Sequence, residues 1–236
     1  MAAATQRTGS TIDPAEVARF KHEFDLIRGL DIDGIVRVLD VIDDEGRVAL
    51  VLEDFGGVNL KEILKGGFTI ERFLELAIRL SEILGEIHRH NISHRDIKPL
   101  NILMNWEADI VKITDFGIAR LMEEPTITAD GQVFGTPSYM SPEQVAGRPL
   151  DARTDLFSLG VMLFEMLTGK KPFTGDTVVT ITYNIMNQEV MIPPTVPPYL
   201  ERVIRKALSK EPHQRYATAE EMAADMDAKS LNGFGY

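Results

Sequence analysis

The sequence predicts an α+β fold with a small N-terminal part, made of one helix and a β-hairpin, followed by a larger and mainly helical part. Two runs rich in valine, isoleucine and leucine, residues 35–42 and 47–52, flank the turn-forming stretch 43–46. After Gly57, apolar residues recur at helical spacing through most of the chain. The 236 residues, 44% of them hydrophobic, can bury one sizeable core.

The first helix is predicted to begin at Asp13, after a small and polar stretch, residues 1–12, that we expect to be a disordered lead-in. Asp13 is a suitable N-cap, Pro14 suits the first turn, and Glu16 completes a capping-box pattern. The apolar residues that follow share one helical face, and Gly29 can end the helix. The hairpin comes next.

Helices are predicted to dominate the rest of the chain, with one strand-like run among them. The predicted helices are residues 59–64, 70–90, 156–168, 199–209 and 219–228, and the strand is residues 110–114. The helix at 156–168 is apolar almost all round, so it should lie in the middle of the helical part. Gly169 can cap its end.

The composition of the chain argues against several kinds of partner, site and location. A net charge of −11 repels phosphate backbones, which argues against a nucleic-acid partner. The absence of cysteine excludes disulfides and thiolate metal sites and fits a reducing compartment. The N-terminus has no apolar core of the kind a signal peptide needs, and no apolar run reaches the roughly 20 residues that span a bilayer. We therefore expect a cytoplasmic protein without a membrane segment.

Three motifs carry the chemistry. They are His-Arg-Asp-Ile-Lys-Pro-Leu-Asn at residues 94–101, Asp-Phe-Gly at 115–117, and Gly-Thr-Pro-Ser-Tyr-Met-Ser-Pro-Glu at 135–143. Their order and spacing match the protein-kinase signature set, so the chain resembles a eukaryotic-type, bacterial-like serine/threonine protein kinase domain. The resemblance implies a protein-kinase-like fold with a reduced N-lobe at residues 13–53, a helical C-lobe at 54–228 and a tail at 229–236.

The resemblance implies transfer of the ATP γ-phosphate to serine or threonine hydroxyls of a protein substrate, with Mg²⁺. Phosphoryl transfer has a loose transition state, so the protein mainly positions groups and neutralises charge. Asp96 would accept or orient the proton of the attacking hydroxyl, and Lys98 would lie near the transferring phosphate. Asn101 and Asp115 would bind Mg²⁺ through oxygen atoms, as hard cations prefer. Lys98, together with Thr136, is the serine/threonine pattern of the family.

Supporting roles are also implied by the resemblance. Glu53 to Phe55 resembles the hinge that binds adenine through backbone groups, and Leu103 resembles the apolar floor beneath it. Glu23 matches the glutamate that pairs with the ATP-binding lysine. His94 and Phe116, with Ile27 and Val38, fall where the family stacks a regulatory spine, and Asp155 resembles the buried aspartate that anchors that spine and the catalytic loop. The remaining structural or regulatory residues are Gly117 and the pair of Glu143 with Arg215, which resembles a buried ion pair that ties the activation segment to the lobe.

Arg95 precedes Asp96, as in kinases that are switched on by phosphorylation of the activation segment. An arginine cluster can receive a phosphate through charge-assisted hydrogen bonds. Thr126 and Thr128 are the candidate phosphosites. The alternative is that both threonines are ordinary loop residues.

Two parts of the family pattern do not occur ahead of Glu23: the glycine-rich loop and the strand that carries the ATP-binding lysine. We therefore expect an N-terminally truncated domain that binds ATP weakly. Leu100 stands where many relatives carry a polar residue, which bears on substrate contacts. The alternative function is a weak or inactive kinase fragment, or pseudokinase, that acts as a protein-binding module.

Two other classes of phosphate-transferring or ATP-hydrolysing enzyme fit the sequence less well. Small-molecule phosphotransferases can share the H-x-D-x-x-x-x-N loop, but they generally lack the segment at residues 135–143. A P-loop ATPase is excluded because the sequence contains no G-x-x-x-x-G-K-[ST].

Overall fold

A computed structural model describes residues 3–4, 29–30, 32–44, 47–116 and 137–233. The predicted first helix lies outside the described residues. So do five of the predicted site residues, which are Glu23, Gly117, Thr126, Thr128 and Thr136.

The first sheet contains the predicted hairpin. Strands β2 (Val38–Asp44) and β3 (Arg47–Leu52) pair in antiparallel fashion, with Ile42 opposite Ala49. The strand β1 (Ala3–Ala4) pairs with the other edge of β3, so the order is β1-β3-β2. The expectation of disorder for the whole stretch 1–12 was therefore wrong for these two residues. The free backbone groups at the edge of β3 can bind any extended segment nearby, which composition alone does not reveal.

The predicted first strand of the hairpin begins too early. Ile35 forms a parallel bridge with Ile113 instead of pairing with β3. The Ile113 N–H donates to the Gly34 carbonyl at 2.8 Å, and the Val36 N–H donates to the Ile113 carbonyl at 2.9 Å. Because Ile35 and Val36 are both buried, this arrangement covers apolar surface that the hairpin would leave exposed. Residues 34–36 thus connect the first sheet to the second.

The second sheet is antiparallel in the order β4-β5-β6, with β4 (Val58–Asn59), β5 (Ile102–Asn105) and β6 (Ile110–Ile113). The prediction of a strand at 110–114 is confirmed. β4 and β5 were not predicted, because two and four residues are too few for a periodic pattern to be recognised. β5 follows directly on the Pro99–Asn101 turn, so this sheet connects the first two motifs.

All five predicted helices are present within the described residues, with small changes in their ends. The helices are α1 (Leu60–Ile63), α2 (Ile70–Arg89), α3 (Pro142–Val145), α4 (Arg153–Thr168), α5 (Val178–Asn187), α6 (Pro198–Ala207) and α7 (Ala219–Gly233). α7 extends beyond 228, so the predicted tail begins too early. None of the described helices is both long and apolar enough to cross a bilayer.

Two helices were missed. α3 is a single turn, too short for a periodic pattern. α5 is rich in valine, threonine and isoleucine, which favour strands as intrinsic propensities. It forms because the Thr177 side chain accepts a hydrogen bond from the Thr180 N–H at its start, and because Ile185 packs in the core.

The apolar helix α4 lies in the middle of the helical part, as predicted. Its residues from Thr154 to Phe164 are all buried, and α6 packs against it. Gly169 ends the helix in the left-handed conformation, with φ of 69°. Gly160 allows the close approach of α6, because a Cβ atom there would lie 2.8 Å from the Ala207 Cβ and 3.2 Å from the Leu208 Cδ2.

Gly160→Ala should therefore destabilise the fold although alanine favours helices. Overpacking costs about 1–3 kcal/mol and the helix propensity of alanine returns about 1 kcal/mol, so we expect a net loss of up to about 2 kcal/mol. Urea unfolding measures the loss. Gly66→Ala is the matched control, because nothing lies within 4 Å of a Cβ placed there. Equal stability of both variants would contradict the role given to Gly160.

Candidate active site

The first motif, residues 94–101, forms a loop between α2 and β5. Backbone hydrogen bonds connect this loop to the second motif. The Asn101 N–H donates to the Lys98 carbonyl at 2.9 Å and closes the 3₁₀ turn Pro99–Asn101. The Thr114 N–H then donates to the Asn101 carbonyl at 2.9 Å. Since Thr114 directly precedes Asp115, this bond brings the two motifs side by side.

Asp96 is held by two neighbours from its own loop. The Lys98 Nζ donates to Asp96 Oδ2 at 2.6 Å. The Asn101 Nδ2 donates to the Asp96 backbone carbonyl at 2.9 Å and to Oδ2 at 3.0 Å. The Asp96 carboxylate is partly exposed and has a fixed orientation. Because the Asn101 amide nitrogen faces Asp96, its amide oxygen lies on the opposite side of the group.

Asp115 lies within electrostatic range of this cluster. Its φ of 56° is in the left-handed region, which is uncommon outside glycine. Although the residue is exposed overall, the surrounding protein desolvates its carboxylate enough to raise its pKa, and the negative charge of Asp96 raises the pKa further. The positive charge of Lys98 opposes this shift. Asp115 thus feels the charges of both Asp96 and Lys98, and a bound cation would reduce the repulsion between the two carboxylates.

The donor atoms present fit a hard cation. Asn101 offers an amide oxygen and Asp115 a carboxylate, and Mg²⁺ typically binds one or two such protein groups together with waters and substrate phosphates. Among the residues that the structure describes, no group of three or more His, Cys, Asp or Glu side chains could hold a metal.

Asp155, on the central helix α4, attaches the loop of residues 94–101 to that helix. Its buried carboxylate accepts hydrogen bonds from the His94 N–H at 2.8 Å and from the Arg95 N–H at 2.7 Å. Arg95 has a φ of 65°, and the bond to its N–H helps to hold this left-handed conformation. The sequence assigned this anchoring role to Asp155 by resemblance.

His88 also contacts Asp155, with Nε2 lying 2.9 Å from Oδ2. Sequence reasoning missed it. The available signal was a half-buried histidine in the last turn of α2, six residues before His94. The role of a single histidine on a helix cannot be predicted without knowing its partner, and Asp155 is 67 residues away in sequence.

Replacing Asp155 with asparagine should loosen this loop. The amide cannot accept from both N–H groups with equal strength, and its NH₂ faces groups that are themselves donors. Because hydrogen bonds to a charged acceptor contribute about 1.5–3 kcal/mol each, we expect a stability loss of about 2–3 kcal/mol in urea unfolding. Asp109→Asn is the control, since the Asp109 side chain is 88% exposed and its surface pair with Arg79 should contribute less than about 1 kcal/mol. A loss no greater than that of the control would contradict the anchoring role.

His94 is buried in its neutral form. Its Nδ1 accepts from the Asp96 N–H at 3.2 Å, which leaves Nε2 to carry the proton and to donate to the Thr114 carbonyl at 3.0 Å. Burial lowers the pKa of His94 and outweighs the opposing charge of Asp155, in agreement with a neutral imidazole. Its ring lies 4.8 Å from the Phe116 ring, so these two predicted spine residues are in contact. Val38 is half-buried at the start of β2.

Glu143 and Arg215 form a buried, bidentate ion pair. Arg215 Nη1 donates to Glu143 Oε1 at 2.6 Å, and Nη2 donates to Oε2 at 2.7 Å. The Thr154 hydroxyl donates to the same carboxylate at 2.8 Å. Burial alone would raise the pKa of Glu143, but the hydrogen bonds and charge of Arg215 hold it below its usual value. The pair connects α3, at the end of the third motif, to the segment after α6.

The predicted hinge follows β3. The Glu53 side chain accepts from the Arg37 N–H at 2.8 Å and pairs with Lys112, which lowers its pKa against the opposing effect of burial. The Phe55 carbonyl accepts from Asn105 Nδ2 at 2.7 Å, so one of its acceptor positions is already used. Leu103 is half-buried on β5, opposite Lys112 of β6. These contacts connect the hinge segment to the second sheet.

The family model described as protein kinase domain matches residues 4–226. A probable serine/threonine-protein kinase of Clostridium perfringens is 41% identical over 218 residues, which cover 89% of this chain and 32% of that protein. Another of Streptomyces coelicolor is 38% identical, covering 97% of this chain and 36% of the relative. The serine/threonine-protein kinase PknB of Mycolicibacterium smegmatis is 38% identical over 91% of this chain and 36% of its own length. This chain thus spans about a third of the length of these curated relatives.

Proposed function

Since the chain belongs to the protein kinase family, we propose that it transfers the γ-phosphate of ATP to serine or threonine hydroxyls of protein substrates, with Mg²⁺. The observation that supports this most is the backbone hydrogen bond from Thr114 to Asn101, which places Asp115 beside the loop that carries Asp96 and Asn101. The relatives' names, all of which specify serine/threonine-protein kinases, support the choice of acceptor.

Each residue of the cluster has one task in this proposal. Asp96 orients the acceptor hydroxyl and accepts its proton, because its carboxylate is held in one orientation by Lys98 and Asn101. Lys98 offers a positive charge beside the transferring phosphate. The Asn101 amide oxygen and the Asp115 carboxylate bind Mg²⁺, which supplies electrostatic stabilisation of the phosphate oxygens.

ATP binds beside this cluster in the proposal. The backbone of residues 53–55 hydrogen-bonds adenine, and Leu103 contacts it from below. By resemblance to the family, Thr136 is assigned to the catalytic aspartate, Glu23 to the ATP-binding lysine and Gly117 to the second motif. In the proposal, phosphorylation of Thr126 or Thr128 orders the activation segment through Arg95. The proposed kinase C-lobe is residues 54–228.

Phosphate transfer from γ-labelled ATP to a mixture of serine-, threonine- and tyrosine-containing peptides tests the proposal. We expect label on serine or threonine only, no label when EDTA removes Mg²⁺, and loss of label in Asp115→Asn. Calorimetric titration with Mg²⁺ and ATP gives a readout that needs no turnover. Binding without transfer would favour the alternative of a protein-binding pseudokinase, and the absence of both would overturn the proposal.

A further inference from the structure

Lys112 lies on the half-buried face of the second sheet, beside the residue proposed as the adenine floor. It is opposite Leu103 in the pairing of β5 with β6, and residues directly opposite each other in an antiparallel pair have Cβ atoms about 4.5–5.5 Å apart. The Lys112 side chain is 12% exposed. A lysine that is covered to this extent needs a partner, because burying an unpaired ammonium group is costly. The contacts of this ammonium group therefore indicate its role.

The ammonium group contacts two side chains of one short segment. Lys112 Nζ donates to Glu53 Oε1. It also lies 5.6 Å from the centre of the Phe55 ring, within the distance of about 6 Å that defines a cation–π contact. Glu53 and Phe55 are the first and last residues of the proposed hinge. One cation thus holds side chains from both ends of this segment.

Glu53 is held from the first sheet as well. The Arg37 N–H donates to the same Oε1 atom at 2.8 Å, and the Glu53 N–H donates to the Arg37 carbonyl at 3.0 Å. Arg37 directly precedes β2, whereas Lys112 belongs to β6. The carboxylate of Glu53 therefore connects the two sheets at the start of the hinge, and Lys112 supplies the contact from the second sheet.

The two glycines that follow the hinge do little to fix its backbone. Gly56 has a φ of 70°, in the left-handed region, and Gly57 comes next. Glycine restricts the backbone less than any other residue. Asn105 Nδ2 donates to the Phe55 carbonyl at 2.7 Å and holds one backbone group. The conformation of residues 53–55 therefore depends on the side-chain contacts with Lys112.

We propose that Lys112 is a positioning residue for nucleotide binding, which holds the backbone of residues 53–55 in the orientation that binds adenine. This inference rests on the proposed function, because it concerns the same nucleotide site. Lys112 acts through Glu53 and Phe55 and does not contact the phosphates. Its effect should therefore appear only for ligands that carry the base.

The binding of two ligands to Lys112→Met tests this role. ATP carries adenine and phosphates, whereas inorganic tripolyphosphate carries phosphates alone, and each is titrated calorimetrically in the presence of Mg²⁺. We expect the Kd and the KM of ATP to rise about tenfold, because a misplaced binding group can cost up to about 10²-fold. The kcat and the Kd of tripolyphosphate should change by less than about twofold. Lys112→Arg keeps a cation that can pair with a carboxylate and stack on a ring, so it should restore most of the affinity for ATP.

Lys170→Met is the matched control, because it removes the same charge from an exposed lysine just after α4. It should leave the affinity for both ligands unchanged. A second variant covers the case in which the unpaired Glu53 carboxylate unfolds Lys112→Met. The double variant Glu53→Gln with Lys112→Met has no such carboxylate, and it should be folded in urea titrations and bind ATP about tenfold more weakly than the unaltered chain.

Equal losses for ATP and tripolyphosphate would mean that Lys112 acts on the whole site, and the positioning role would be overturned. The same conclusion follows if Lys112→Met, or the double variant, binds ATP as tightly as Lys170→Met. In both cases the kinase proposal stands. If the unaltered chain binds no ATP, the proposed function fails and the inference fails with it.

Discussion

Asp96→Asn is expected to lower the rate of phosphate transfer by about 10²- to 10⁴-fold, the range that a positioned proton acceptor contributes. The amide keeps the size of the side chain but cannot accept the proton of the acceptor hydroxyl. It also weakens the ion pair with Lys98, whose Nζ lies 2.6 Å from Asp96 Oδ2. The measurement is the single-turnover rate with saturating ATP and Mg²⁺.

The binding of Mg²⁺ and ATP separates a chemical effect from a structural one. Asn101 and Asp115, and not Asp96, are the proposed metal ligands, so the affinity of Asp96→Asn should change by no more than about threefold, or roughly 0.7 kcal/mol. Asp109→Asn makes the same chemical change at an exposed position and should keep the full rate. A rate for Asp96→Asn close to that of Asp109→Asn would disprove the role of Asp96.

Arg215→Met is expected to destabilise the protein by about 3–5 kcal/mol, because it leaves the Glu143 carboxylate buried without its cation. The Arg215 side chain is 0% exposed and that of Glu143 is 3% exposed, so water cannot replace the lost contact. Total stabilities of such domains are about 5–15 kcal/mol, so the loss should be large in urea or thermal unfolding.

The double variant Glu143→Leu with Arg215→Met makes the test sharper. The double variant has no unpaired buried carboxylate. Because replacing a buried ion pair with apolar residues often leaves the stability unchanged, we expect much of the lost stability to return. Arg205→Ala is the exposed control, since Arg205 pairs with Glu201 at the surface and should contribute less than about 1 kcal/mol. No recovery in the double variant would mean that the arginine acts mainly through its bonds to backbone carbonyls.

The same pair gives a pH dependence. The folded-state pKa of Glu143 lies below its ordinary value of 4.5, so the unfolded chain binds the proton more readily. The contribution of the pair is therefore complete above about pH 4.5 and is lost as the pH falls through the lowered folded-state pKa. In Arg215→Met the free energy of unfolding should fall less steeply as the pH is lowered. Urea unfolding measured between about pH 3 and 6 checks this.

Local patterns were sufficient for the long helices and for the chemistry-bearing motifs. The helix α2 was predicted within one residue of each end, because its apolar residues recur at helical spacing over five turns. The hairpin was predicted from two apolar runs and a turn. These features depend on neighbours in sequence, and a single sequence contains that information.

Contacts between distant residues could not be predicted in the same way. The local pattern at Ile35 predicts a hairpin residue, but Ile35 is buried in a bridge with Ile113 instead. The role of His88 depends on its contact with Asp155, which the sequence does not reveal. The strand-forming residues of α5 adopt a helix because capping and core packing outweigh their propensity. In each example tertiary packing decides between local alternatives of similar free energy.

Asp155 reaches the loop of residues 94–101 through main-chain N–H groups and not through the loop's side chains. Every residue except proline carries such a group, so the attachment does not depend on which side chains the loop displays. Substitutions at its outward positions can therefore alter what the loop recognises without detaching it from α4. Helix α4 therefore constrains the conformation of the loop but not the identity of its outward side chains, which are free to diversify.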